Sequence, residues 1–151
     1  VAGTVYSYSF KDVVATVVGP NGAFSIGSSA GAAKEGITIE MVEDKGTMTI
    51  GADGQGMHSL HAGKGGRVTV RLLKNSLTNA LLSAMYNADC GDSSQYGQNT
   101  IVVSWLTAGD VHSCRQCGFV RFPSSVYSED GPMLEWTWNS IVVDHMLGAG
   151  A

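Results

Sequence analysis

Charge is scarce in this chain. Asp, Glu, Lys and Arg make up only 15% of the 151 residues, and 9 cations face 13 anions for a formal net charge of -4. A protein that grips nucleic acid needs clustered cations to displace phosphate counterions, so that class is disfavoured, whereas a surface that repels DNA is not. Cysteine is scarce too. Cys90, Cys114 and Cys117 are odd in number and follow no regular framework, which argues against a disulfide-stapled secreted domain and for reduced thiols. No apolar run approaches the roughly 20 residues that span a bilayer. The opening VAGTVYSYSF lacks the charged start and apolar block of a signal peptide, so the expectation is a soluble, intracellularly made protein without membrane insertion.

What is present suits one domain over residues 1–151. An apolar content of 44% is enough for a single core. Glycine, at 20 residues, together with abundant Ser and Thr, points to turns and strands rather than long solvated helices.

Gly66 to Asn87, GRVTVRLLKNSLTNALLSAMYN, changes hydrophobic period partway. Val68, Val70 and Leu72 alternate with Thr69, Arg71 and Leu73, the period of a strand with one buried face. From Leu77 the apolar residues fall at Leu77, Ala80, Leu81, Ala84 and Met85, one stripe of a helix over about 76–87, with Ser76 as its N-cap. Leu77, Leu81 and Met85 are the expected contacts of that helix with a sheet.

Further strands are expected at Val5–Phe10, Val13–Val18, Ala23–Ile26, Ile37–Val42, Thr100–Leu106, Val111–Phe122 and Leu134–Val143. Gly19-Pro20-Asn21-Gly22 marks a turn, and Gly27–Gly36, Ala88–Gln98 and Ser124–Pro132 read as connectors. After Met41, either Lys45-Gly46 turns the chain into Thr47–Ile50 or Glu43-Asp44-Lys45 opens a longer excursion. Gly51–Gly66 holds six glycines yet retains Met57 and Leu60. Apolar residues in such a loop suggest order imposed by a neighbouring subunit, so the glycine-rich segment at about 43–66 is the expected assembly element.

The chemical motifs are weak. Cys114-Arg-Gln-Cys117 has no second CxxC, and residues three apart on a strand face opposite sides unless a bulge intervenes. His58 and His61 sit among glycines without the carboxylate of HExxH, Asp53-Gly54 lacks the further ligands of a calcium loop, and Gly63-Lys64-Gly65 lacks the rest of a phosphate loop. No GxSxG appears. Neither catalytic residues, metal site nor cofactor is indicated. Trp105, Trp136 and Trp138 with Tyr6, Tyr8 and Phe10 fit core and cross-strand pairs better than a stacking surface.

The hinge Lys74-Asn75-Ser76, the helix from Asn79-Ala80-Leu81 to Met85-Tyr86, the run Glu35-Gly36-Ile37-Thr38-Ile39-Glu40, and the flanking Tyr8-Ser9-Phe10-Lys11-Asp12 and Glu135-Trp136 together resemble the tail tube proteins of bacteriophages, especially contractile-tailed ones. That resemblance implies a mainly β fold, a β-sandwich or partial barrel with one flanking α-helix, contributing strands to the inner barrel of a hexameric ring. It also implies stacked rings that conduct DNA into the host, template the sheath and work with tape-measure, baseplate and tail-terminator proteins. Localisation would be the virion tail, after assembly in the host bacterial cytoplasm. A tube protein of a tailocin or related injection system is the near alternative, and a monomeric glycan- or oligonucleotide-binding β-sandwich the distant one.

Polar residues on the strand faces turned from the core are the lumen candidates: Thr38, Glu40, Thr69, Arg71, Glu135, Thr137 and Asn139. Asp44, Asp53, Met57, His58, Leu60, His61 and Lys64 are the candidates for contacts between subunits or rings. A net acidic tube would repel phosphate at close range and keep sliding DNA from being trapped, with Arg71 an exception unless Glu40 or Glu135 neutralises it.

Overall fold

The computed structural model describes residues 7–27 and 32–149. Nine strands and one α-helix are formed among them, in the order β1 (Val13–Gly19), β2 (Gly22–Ser25), β3 (Ala32–Met41), β4 (Gly46–Ile50), β5 (Gly56–Leu60), β6 (Gly66–Leu73), α1 (Leu77–Cys90), β7 (Asn99–Trp105), β8 (Asp110–Phe119) and β9 (Met133–Met146). Seven strands form one antiparallel sheet ordered β2-β1-β7-β8-β9-β6-β3, and β4 pairs with β5 apart from it. The sheet does not close into a barrel. It curls so that β3 approaches β1 and β7, leaving a cleft of about 380 Å³ between Ile37, Ile39, Val103 and Trp105, bordered by Tyr8 and Phe10.

The bend follows from β9. Its first half pairs with β6, from Leu73↔Met133 to Gly66↔Ser140, and its second half with β8, from Phe119↔Trp138 to Val111↔Met146. Leu134, Trp136, Trp138 and Ser140 alternate inward as a period of two demands, and then the phase shifts so that Val143 is the next buried residue. Ser140 ties that shift by sharing its one hydroxyl proton between the carbonyls of Arg115 and Val142, at 2.7 and 2.9 Å. Gly66 fits opposite because it has no side chain: an added Cβ would stand 2.7 Å from Val143 Cγ2 and 2.8 Å from the Glu40 carbonyl.

Phe119 fills the interior between the two tryptophans, edge-on to Trp136 with ring centroids 6.0 Å apart, as aromatic quadrupoles favour, and tilted against Trp138 at 5.1 Å. Helix α1 covers this cluster. Tyr86 packs edge-on against Phe119 and Phe122, and the indole Nε1 of Trp136 donates to Asn79 Oδ1 at 3.1 Å. At the helix end the buried Asp89 carboxylate accepts from Asn21 Nδ2 at 2.5 Å and from Asn99 Nδ2 at 2.7 Å, which fastens the β1–β2 turn and the start of β7 to the helix.

Several sequence expectations need correction. The helix begins on its expected cap, with Ser76 accepting from the Thr78 amide at 3.2 Å, but its buried stripe is Thr78, Leu82, Met85 and Asp89. Leu77 and Leu81 are 79% and 45% exposed, so of the expected packing residues Met85 alone is inside. The true stripe is rotated by one residue: Leu82 rather than Leu81 is inside, and Asp89 has amide partners in the interior, which an apolar count ignores. Residues 7–9 are irregular and Phe10–Asp12 form a 3-10 turn instead of the end of a strand; Val5 and Tyr6 lie outside the described residues. β3 begins at Ala32, inside the segment read as a loop, with a register shift before Ile37 where Gly36 takes φ +64°. β8 ends at Phe119 rather than Phe122, and β9 runs on to Met146.

The CxxC thiols do not diverge. Cys114 and Cys117 are both fully buried, because a bulge against β7 and a left-handed Gln116 (φ 54°) turn both inward. Burial, with a smaller effect of Cys117, pushes the Cys114 thiol from 9.0 up to about 12, and burial also pushes Cys117 up. Both are free thiols, and Cys90 is exposed.

Leu82→Ala should cost about 2–5 kcal/mol in denaturant unfolding, since it opens a cavity under α1. Leu81→Ala should change stability by about 0.5 kcal/mol or less; equal losses would restore the apolar-count stripe. A thiol reagent should modify Cys90 in the native protein and reach Cys114 and Cys117 only after unfolding. The raised Cys114 pKa stabilises the fold fully below pH 9.0 and progressively less as pH climbs towards about 12, because the unfolded thiol ionises first. Thermal melts across the alkaline range should therefore fall more steeply in wild type than in Cys114→Ala.

Candidate channel face and assembly arm

Strand register gathers the polar candidates of β3, β6 and β9 into rows. Thr38, Thr69 and Thr137 are cross-strand partners, Glu40 stands beside Arg67 and Asn139, and Arg71 faces Glu135. All lie on the side opposite Val68, Val70, Trp136 and Trp138, because successive side chains of a strand alternate. Arg71 Nη1 donates to Thr38 Oγ1 at 2.9 Å, and its Nε lies 3.5 Å from Glu135 Oε2. Arg67 Nε donates to Asn139 Oδ1 at 3.4 Å.

This face is a groove, not a plain. The irregular chain after β8 rises along it with Val120, Arg121, Pro123, Ser124 and Val126, enclosing about 690 Å³. Thr69 is only 8% exposed on the groove floor, whereas Glu40, Glu135 and Asn139 remain open. Period-two reading extends naturally from Thr69 and Arg71 to Arg67, which belongs in the set. Arg121 carries no such signal, because an irregular segment delivers it. Three arginines, Arg67, Arg71 and Arg121, here meet two glutamates, Glu40 and Glu135. The groove is thus not acidic, and Glu135 rather than Glu40 is the ion-pair partner of Arg71.

The glycine-rich segment is a hairpin arm rather than a loop. β4 and β5 pair in register Gly46↔Leu60, Thr47↔Ser59, Met48↔His58, Thr49↔Met57 and Ile50↔Gly56. Asp53 organises the tip by accepting from the Gln55 amide at 3.1 Å, while the Gly51 amide donates to the Gln55 carbonyl at 2.7 Å. At the root, the His61 amide donates to the Lys45 carbonyl at 2.9 Å, and the His61 ring contacts Thr47 Oγ1 at 3.3 Å. Lys64 returns the chain to the sheet through a parallel bridge to Val142 and an ion pair with Asp144 at 3.8 Å. Asp44 is exposed where the arm leaves.

Cross-strand partners share a face, so the arm has two unlike sides. Met48, Ile50 and Leu60 stand with His58 on one side, and Met57 stands with Thr47, Thr49 and Ser59 on the other. Met57 and Leu60, paired in the sequence reading as joint anchors, therefore point apart. Met48, Ile50 and Met57 are each 61% exposed and Leu60 is 83% exposed. The arm's own subunit covers none of these four.

No helix among the described residues is long and apolar enough to cross a membrane. No curated protein matches the sequence. Solved structures share the fold at low identity. One is described as the sheath/tube terminator of an extracellular contractile injection system, PVC, in its extended state: TM-score 0.61, 12% identity, 95% of this chain and 99% of that one. Another is the PVC sheath-tube complex in the extended state: TM-score 0.57, 14% identity, 94% and 93% covered. A third is the tube terminating cap of the anti-feeding prophage: TM-score 0.56, 10% identity, 97% and 95% covered. Residues 5–148 match the family described as "Bacteriophage PhiTE tail tube protein", a structural family and not one of enzymes. The chain belongs to that bacteriophage tail tube family.

Proposed function

We propose that this tube protein polymerises as stacked hexameric rings into the inner tube of a contractile tail, through which DNA passes into the host without specific binding. The observation that carries the reading is the β4–β5 arm, whose Met48, Ile50, Met57 and Leu60 are left open by their own subunit. Exposed apolar side chains on both sides of a two-stranded ribbon make sense when neighbouring copies cover them, since an isolated hairpin is marginal in water. The border positions of β2 and β3 in the described sheet add to this, because edge pairing within a ring removes an aggregation hazard.

The groove of β3, β6 and β9 is the proposed lumen wall, with Thr38, Glu40, Thr69, Arg71, Glu135, Thr137 and Asn139 joined by Arg67 and Arg121. With its charges nearly balanced, such a wall presents phosphates with short-range polar contacts and little net attraction. Leu77 and Leu81, open on the outer side of α1, are proposed contacts for another tail component. The expected partners are the sheath, tape-measure, baseplate and tail-terminator proteins, and assembly is placed in the host cytoplasm before incorporation into the virion. Structural neighbours named for sheath, tube and terminator complexes support that setting. A tailocin or free injection system uses the same fold, and the presence or absence of capsid genes beside the gene separates the two. A monomeric binding module is disfavoured by burial: Trp136 and Trp138 are fully enclosed and offer no stacking platform.

Replacing Met48 and Ile50 together by Asp should leave subunit stability within about 0.5 kcal/mol of wild type, because both are surface residues. Tubes seen by negative-stain microscopy should nonetheless disappear; unchanged tubes would remove the arm from assembly. For the lumen, thiol labelling of Glu40→Cys or Asn139→Cys should be much slower in assembled tubes than in free subunits. Equal rates would move the channel wall to another face.

A further inference from the structure

Where β8 begins and β9 ends, two histidines face each other across the ladder. His112 and His145 are register partners, their Nδ1 atoms are 2.7 Å apart, and their rings meet edge to face with centroids 5.0 Å apart. On the far side of the second ring, His145 Nε2 lies 3.1 Å from the sulfur of Met41, the last residue of β3. A thioether carries no proton and only accepts, so this contact puts the ring hydrogen of His145 on Nε2. Its Nδ1 is then a lone pair, aimed at His112. Partial burial and the neighbouring His145 hold His112 below its usual pKa.

We propose that His112 and His145 form a chelating site for a borderline divalent transition-metal ion, of the zinc–nickel–copper class. The channel-face residues and the hydrophobic arm take no part in it. Two imidazole nitrogens bound to one tetrahedral ion at about 2.0–2.1 Å stand roughly 3.3 Å apart, so the pair needs to open by roughly 0.6 Å. Small rotations of two side chains at strand ends provide that without disturbing the ladder. In the metal-free chain one proton bridges the rings, with His112 donating from Nδ1. When the ion takes both Nδ1 lone pairs, that proton moves through solvent to His112 Nε2, and none is released overall. Met41 then acts as an orienting partner, fixing the His145 tautomer from behind, as second-layer hydrogen bonds do at metal centres.

No group of three or more His, Cys, Asp or Glu side chains poised to hold a metal exists among the described residues. The ion would therefore keep water in its remaining positions, giving an exchangeable site rather than a closed structural one. Asp110, two residues before His112 on the same strand, supplies negative charge nearby. An occupied site would clamp the β8 and β9 ends beside Met41, one residue before the chain leaves for the arm.

Copper(II) added in substoichiometric amounts to the purified protein tests this through paramagnetic broadening of histidine ring signals in NMR. All four histidines, His58, His61, His112 and His145, report separately. His112 and His145 should broaden first and together, and His145→Gln should abolish the effect on His112 while the spectrum elsewhere stays folded. Met41→Leu should weaken binding several-fold without abolishing it. First broadening of His58 or His61, or equal broadening of all four rings, would overturn the proposal. So would an unchanged response of His112 in His145→Gln. Because the readout is local to the subunit, failure of tube assembly would leave this result standing, and the reverse also holds.

Discussion

The sheet depends on β9 serving two partners in turn. Ser140 is the residue at which it changes allegiance, paired with Gly66 on one side and Cys117 on the other. Its hydroxyl proton is shared by the carbonyls of Arg115 and Val142 where the phase shifts, and a buried polar group left unmet there would cost about 1–3 kcal/mol. Around that hinge the sheet curls, Phe119 and the two tryptophans fill the concavity, and α1 closes it. If β9 were straight, Leu134 to Ser140 and Val143 could not all face one interior.

Polar groups do as much as apolar ones to position the helix. Asp89 is fully buried, and its two amide donors come from separate parts of the chain, Asn21 in a turn and Asn99 at a strand start. Removing either amide would leave part of a carboxylate unsolvated, a heavier loss than the hydrogen bond itself. The same network explains Gly19, where a Cβ would collide with the Asn99 side chain. Helix, turn and strand are thus registered by hydrogen-bond geometry as well as by volume.

Much of this was legible in the residues. The change of period at Ser76 marked strand and helix correctly because the apolar residues of β6 alternate inward and the cap is a serine that accepts from the Thr78 amide. The phase of α1 was not legible, since Leu77 beside Thr78 and Leu81 beside Leu82 allow two stripes, and the choice rests on distant partners. β5 was invisible for another reason: a strand with both faces exposed leaves no alternation, and Gly56-Met57-His58-Ser59-Leu60 reads as loop. Arg121 and the groove it borders depend on a segment without regular structure. The inward turn of both CxxC thiols required a bulge whose key residue, Gln116, is not a glycine.

The two borders of the main sheet are unlike. β3 is 10 residues long and carries a bulge, while β2 has 4 residues in a short return. A contact that joins β2 of one copy to β3 of the next is not symmetric about a two-fold axis, because the two edges are different strands. It is heterologous, each copy offering one surface and receiving another. Contacts of that kind generate rotation or helical advance rather than pairs: a ring where the rotation closes, an open helix where it does not. Joined in that way, copies of the subunit would have a direction of growth.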